Sequence, residues 1–188
     1  MGVVDSRTQP IAADMSTVDD RNRSAAIEAV FRSDYGRLVA LARLLLDRRV
    51  EAEEVVQEAF ARVLAKPPRA TSPREATAYV QRAVVNVCRD GLRRRRVIRS
   101  VGHPEPWRSG SPADGDAAAL AAGANERQAV VDAIRTLPGR QREVVVLRYL
   151  VERSTTETAE ILGISEGSVK THLSRGLAAL EAELETRP

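Results

Sequence analysis

An all-α fold is what the sequence predicts, and three observations lead there. Apolar residues recur at spacings of three and four through most of the chain, the period of one helix face. The β-branched clusters Val84-Val85 and Val144-Val145-Val146 lie inside those helix-period segments and supply no strand signal of their own. Breakers gather in one central run, His103-Pro104-Glu105-Pro106-Trp107 and Ser111-Pro112-Ala113-Asp114-Gly115-Asp116, too rich in Pro and Gly for a packed element. The expectation is two small helical domains joined by a flexible linker: a disordered extension at 1–23, a helical domain at 24–96, the linker at 97–124 and a second domain at 125–188. No repeat of solenoid period appears, so the halves are different modules.

The first helix is expected from Ser24 to Leu46, burying Ile27, Phe31, Tyr35, Leu38, Ala42 and Leu45. A second follows with Ala52, Val55, Val56, Ala59, Phe60 and Val63 inward, and Pro67-Pro68 stops it. Ser72-Pro73-Arg74-Glu75 opens the third: Ser caps, Pro suits the first turn and Glu stands three residues after the cap. Its buried stripe reads Tyr79, Ala83, Val84 and Val87. Past the linker, Ala129, Val130, Ala133, Ile134 and Leu137 mark a fourth helix, ended by Leu137-Pro138-Gly139, and a fifth runs from about Arg140 to Leu150. Ser154-Thr155-Thr156-Glu157 is a capping box for a short helix that ends at Leu162-Gly163. The last helix starts at Ser165 and is expected to bury Val169, Leu173, Leu177 and Leu180.

Composition narrows the function classes. The chain has 188 residues, 43% hydrophobic, with 29 basic against 26 acidic side chains, so its net charge of +3 leans only slightly toward a polyanionic partner. One cysteine, Cys88, excludes an intrachain disulfide framework and a multi-Cys zinc site, and reads as a small buried apolar residue in a reducing compartment. No run of roughly 18 apolar residues suggests a membrane span, and the first two dozen residues lack a secretory h-region, so the expected address is the cytoplasm. Nothing forms a catalytic triad, a phosphate loop or a metal-ligand set. No enzymatic activity and no cofactor are expected.

A short helix, a Gly-containing turn and a second helix carrying cations form the helix-turn-helix pattern. With Val169, Leu173 and Leu177 inward, Gly167, Lys170, Thr171, Ser174 and Arg175 face out together, a donor-rich set suited to base edges and phosphates of a duplex. Ser168, near the helix start, suits a backbone phosphate. His172 reads either as a base contact or as a partly exposed structural histidine, and an ordinary helical hairpin with a solvated basic face is the alternative for the whole set. Leu137-Pro-Gly-Arg-Gln-Arg-Glu-Val-Val-Val-Leu-Arg-Tyr-Leu150, Glu160-Ile-Leu-Gly-Ile-Ser165 and Ser168-Val-Lys-Thr-His-Leu-Ser-Arg175 resemble region 4 of bacterial sigma factors. That resemblance implies reading of the −35 promoter element. Thr158, where the family usually has an apolar residue, and Gly176, where Ala is commoner, depart from the pattern.

Response-regulator output domains carry a similar C-terminal pattern, so the first half discriminates: a receiver would alternate strands and helices, and this half reads as helices throughout. Ala52-Glu-Glu-Val-Val-Gln-Glu-Ala-Phe60 resembles sigma region 2.2, which grips core polymerase. Burying its apolar positions leaves Glu53, Glu54, Gln57 and Glu58 on an acidic and amide surface uninterrupted by any cation within the segment. Such a surface suits a basic protein partner, with a plain solvated face as the alternative. Adjacent Glu53 and Glu54 without histidine do not suit a metal.

Tyr79-Val-Gln-Arg-Ala-Val-Val-Asn-Val-Cys-Arg-Asp90, leading into Arg93, Arg94, Arg95 and Arg96, resembles regions 2.3 and 2.4, which engage the −10 element and trap it melted. Many members carry Trp at the place of Tyr79 and Arg at that of Val85. Tyr79 reads as a stacking platform or as a core aromatic. Arg82 and Asn86, one turn apart, suit a base edge or a phosphate, and the arginine run reads as a phosphate contact or as solvated charge. The loop Lys66–Pro73, with Arg69, stands where relatives of the extracytoplasmic-function (ECF) group hold a flipped base. The resemblance to ECF sigma factors covers about Phe31 to Arg96 and Asn125 to Leu180. It implies three partners: core RNA polymerase through its β′ clamp and β flap, promoter DNA, and an anti-sigma factor. The rivals are a stand-alone helix-turn-helix regulator and an adaptor that binds polymerase without promoter.

Overall fold

In a computed structural model of the chain, the described residues are 12–46, 52–70, 72–100 and 121–186, with side chains described over 22–46, 52–70, 72–94 and 127–186. Among them are seven α-helices and no strand: α1 Ala12–Leu45, α2 Ala52–Ala65, α3 Pro73–Ser100, α4 Ala121–Thr136, α5 Gly139–Tyr149, α6 Thr155–Leu162 and α7 Glu166–Glu185. None of the described helices is long and apolar enough to cross a membrane. The start of α1 at Ala12 lies well ahead of the expected Ser24, and α3 runs on to Ser100. What remains of the expected linker, 101–120, lies outside the described residues, as do 1–11.

Helices α1, α2 and α3 pack on one another, and α7 is the hub against which α4, α5 and α6 pack. The core of the first group matches the expected stripe on α2: Ala52, Val55, Val56, Ala59, Phe60 and Val63 are all buried. On α1 the stripe is Ile27, Val30, Leu38, Leu41, Ala42 and Leu45. Phe31, expected inside, is 44% exposed and packs at the edge, tilted against Tyr35 and edge-on to Phe60 with ring centroids 5.1 Å apart. On α3 the buried apolar positions are Ala76, Val80, Val84, Val85, Val87 and Cys88, and Tyr79 is 40% exposed rather than buried. Both misplacements have one cause: the side-chain seam runs through the neighbour one position away, Val30 for Phe31 and Val80 for Tyr79. Burial pushes the Cys88 thiol up to about 12, as an apolar environment disfavours the thiolate.

The two groups are not separate bodies. One continuous apolar cluster joins Val56, Phe60, Val80 and Val84 to Val144, Val146, Leu147, Ala159, Ile161, Leu162 and Val169. Helix α5 lies on α1, α6 on α3, and α4 on α1. This packing departs from the expected pair of domains joined only by a flexible linker, because apolar residues of both groups complete one core.

Helix α7 differs from expectation in the same way as α1. Val169 is buried and Leu173 half-buried, but Leu177 is 37% exposed, and the seam passes instead through the buried Gly176. A Cβ there would sit 2.8 Å from Val145 Cγ2 and 3.4 Å from Gln141 Cβ, so α5 and α7 meet too closely for a side chain. Thr158, the other departure from the family pattern, is fully buried, and its hydroxyl has no hydrogen-bond partner among the described residues.

Gly176→Ala is therefore expected to lower stability. The overpacking cost of about 1–3 kcal/mol against the buried Val145 exceeds the roughly 1 kcal/mol that Ala gains over Gly in a helix. Thermal unfolding of the single variant, and of the same change in a Val145→Ala background where the loss should shrink, checks this.

Candidate nucleic-acid interface

The helix-turn-helix is built from local capping chemistry. The Ser154 hydroxyl accepts a bond from the Glu157 amide at 3.1 Å, and the Ser154 amide donates to Glu157 Oε2 at 2.9 Å, closing the expected capping box. Gly163, at φ 65°, ends α6 in the left-handed region, and the Ile164 amide bonds back to the Ala159 carbonyl. Two residues on, Ser165 caps α7 by accepting from the Ser168 amide at 3.1 Å. Thr156 Oγ1 donates to Glu166 at 2.7 Å, tying the first turns of both helices.

On α7, Lys170, Thr171, Ser174 and Arg175 are exposed together. Thr171 Oγ1 donates to the Gly167 carbonyl, which fixes the hydroxyl's direction and leaves its lone pairs outward. Ser168 is half-buried, its hydroxyl 2.9 Å from that of Ser165. His172 is also half-buried, with Nδ1 enclosed and unpartnered, so it stands apart from the open cationic set.

In the first group, Tyr79, Arg82, Ala83 and Asn86 of α3 line one wall of a pocket of about 360 Å³, and Arg62, Val63 and Lys66 of α2 line the other. Three residues expected from sequence thus meet at one site. Arg62 was missed: it is braced by Glu58 at 2.6 Å and Asp90 at 3.1 Å, and these two hydrogen bonds raise its already high pKa. The one available signal was its spacing from Lys66, which puts two cations one turn apart at the end of α2. Arg69 is exposed on the α2–α3 loop and does not line the pocket. Further along α3, Arg93 and Arg94 are exposed, and the side chains of Arg95 and Arg96 lie outside the described residues.

Glu53, Glu54, Gln57 and Glu58 are all exposed on the outer face of α2. The face is not cation-free. Arg43 of α1 reaches Glu53 at 3.5 Å, and Arg62 pairs with Glu58, whereas no described cation pairs with Glu54. Beside Gln57 an apolar groove of about 500 Å³ opens between α1 and α2, lined by Ile27, Phe31, Phe60, Ala61 and Leu64. It exists because Phe31 lies at the edge of the core.

Glu157 also joins the two halves. Arg74, at the start of α3, donates to it at 3.0 Å, and Arg153 at 2.9 Å. The Arg74 hydrogen bond holds the Glu157 carboxyl well below the usual carboxylate range, against the opposing effect of partial burial, and bonds from Ser154 and Arg153 add to it.

The comparisons with known proteins divide along the same line. The sigma-70 region 2 family matches residues 30–98, and the sigma-70 region 4 family matches residues 127–180. Over 160 residues the chain is 35% identical to the RNA polymerase sigma-E factor of Streptomyces coelicolor, covering 85% of this chain and 86% of that one. It is 31% identical over 157 residues to the ECF RNA polymerase sigma factor SigM of Mycobacterium tuberculosis, covering 82% and 75% respectively. Its fold is similar to that of CnrH, solved in complex with the cytosolic domain of CnrY, with a TM-score of 0.64 over 91% of this chain and 97% of that one at 22% identity. The chain belongs to the ECF group of the sigma-70 family. It is thus a sigma factor of RNA polymerase transcription initiation.

Because Glu157 is depressed in the folded chain, its stabilising contribution is present above the unfolded carboxylate pKa of about 4.3 and is lost as pH falls below that value. Glu157→Gln is therefore expected to unfold at lower temperature than the wild type at pH 7. The difference should shrink steadily from about pH 5 to pH 2, as thermal scans across that range would record.

Proposed function

We propose that this sigma factor works with three separate surfaces. The exposed Glu54 and Gln57 of α2, with Glu53 and Glu58 beside them and the apolar groove alongside, dock on core RNA polymerase, by family resemblance on its β′ clamp. Lys170, Thr171, Ser174 and Arg175 of α7 enter the major groove at the −35 element, with Ser168 near a phosphate and His172 at the margin. The pocket between α2 and α3 receives an unstacked base of the −10 element. Region 4 also meets the β flap, and an anti-sigma partner is proposed on the same footing. The work is done in the cytoplasm, where polymerase and promoter are.

The observation that carries this reading is the convergence of Tyr79, Arg82 and Asn86 with Arg62 and Lys66 on one pocket. An aromatic ring, an amide and cations are the groups that hold a flipped base: the ring stacks, Asn86 suits a base edge, and the cations neutralise the phosphates on either side. Stacking contributes about 1–3 kcal/mol per base and offsets the few kcal/mol that extrusion costs. Arg82, Asn86 and Arg93 follow one face of α3, so the strand leaving the pocket has cations along its path. Arg69, Arg94, Arg95 and Arg96 extend that basic margin.

Adding the purified chain to core polymerase on genomic promoter templates and mapping transcript starts tests the proposal. Template-specific initiation is expected, whereas promoter footprints without polymerase would favour a stand-alone regulator. In the same assay Tyr79→Ala should reduce open-complex formation by about 5-fold to 140-fold, the equivalent of one lost stack of about 1–3 kcal/mol. Glu54→Lys, at a carboxylate with no described ion pair, should abolish core binding while circular dichroism stays unchanged. Retained core binding moves the polymerase surface elsewhere.

A further inference from the structure

Glu143 of α5 is only 8% exposed, and it faces the first group rather than solvent. Arg89 of α3 donates to it through both arms of its guanidinium, Nε to Oε1 at 2.6 Å and Nη2 to Oε2 at 2.7 Å. Arg140 adds a third bond to Oε2 at 3.2 Å. Arg89 also donates to Asn86 Oδ1 at 3.4 Å. Along α3 the residues Arg82, Asn86, Arg89 and Arg93 repeat at spacings of four, three and four, so Arg89 lies in the row of polar groups that leaves the pocket. A carboxylate and a phosphate offer an arginine fork the same paired acceptors.

We infer that Arg89 is a further phosphate contact for the −10 strand, and that Glu143 occupies its fork in the free chain, so that module packing and −10 engagement exclude one another. This rests on the proposed function above and names a means of regulating it. A phosphate arriving at Arg89 would displace the Glu143 carboxylate, leave it nearly buried beside a second anion with Arg140 alone to balance it, and so drive the second group off α3.

Other bonds hold the same closed arrangement. Arg153 Nε donates to Gln81, only 3% exposed, at 2.9 Å, and a Cβ built on Gly163 would lie 3.6 Å from the Arg82 guanidinium, placing the α6–α7 turn against the pocket wall. Arg135 and Arg142 donate to the Arg43 and Leu45 carbonyls at the end of α1. Reach makes opening obligatory. Elements about 25 base pairs apart lie roughly 85 Å apart at about 3.4 Å per base pair. A compact body of this chain length has a radius of gyration of only about 16 Å, so the closed form cannot touch both elements.

The test uses the full chain, a fluorescent single-stranded oligonucleotide carrying the −10 sequence found by transcript mapping, and core polymerase. Glu143→Gln should bind the oligonucleotide about fivefold or more tighter than wild type. Adding Arg89→Ala should remove that gain. The charge swap R89E/E143R, which re-forms the pair with its signs reversed, should return binding to the wild-type level or below. Equal binding by Glu143→Gln and wild type overturns the inference, as does a gain that survives Arg89→Ala. Template-specific transcripts from wild type alongside either of those outcomes leave the sigma-factor mechanism standing and remove only the inference. Absence of transcripts from every variant removes both.

Discussion

Helix α3 is the element on which the rest of the structure depends, because it must satisfy neighbours on every side. Its inner row, Ala76, Val80, Val84, Val87 and Cys88, completes the core with α1 and α2. Its flank holds Gln81 and Arg89 against Arg153 and Glu143 of the second group. Its remaining face carries Tyr79, Arg82 and Asn86 to the pocket. A helix packed on all sides would have no surface left for a ligand. Here the face proposed for the −10 strand and the packing face overlap at Arg89.

Charge separates the remaining surfaces. The carboxylates of α2 and the cations of α7 stand on different elements, and each exposed set keeps a dominant sign: Glu54 has no described cation partner, and Lys170 and Arg175 are likewise outside every described ion pair. Between them the bonds that join the groups are mostly Arg–carboxylate and Arg–carbonyl. Such contacts fix orientation at modest net stabilisation, because desolvation offsets much of the Coulombic attraction. The apolar cluster shared by both groups supplies adhesion, and the polar pairs set the register.

Much of the architecture was legible in the sequence because helix signals are local. The Ser72 cap, the Ser154–Glu157 box, the Gly163 stop, the start of the last helix at Ser165 and the buried stripe of α2 were all read from residues within a few positions of one another. Phe31, Tyr79 and Leu177 were not, since a period of 3.6 residues defines a face only to within one position and the partner helix selects between neighbours. Tyr79 shows what is at stake. One residue out of the seam, it leaves the core and lines the α2–α3 pocket. Arg62 offered only its one-turn spacing from Lys66, and the Arg89–Glu143 pair, 54 residues apart, carries no local signature, because nothing along the chain says which of many arginines will meet which glutamate. Gly176 stood out as a family departure, but its cause, the close approach of Val145, belongs to three dimensions.

Exchange of α3 between its own second group and nucleic acid is the central claim, and a distance measures it most directly. Spin labels at Ala65→Cys on α2 and Glu181→Cys on α7 sit at exposed positions, and the buried, high-pKa Cys88 should stay unlabelled. Pulsed electron paramagnetic resonance on the free chain should give one short, narrow distribution. In the polymerase–promoter complex that distribution should move outward by at least about 30 Å, as the separation of the two promoter elements requires. An unchanged distance in the transcribing complex would contradict the account.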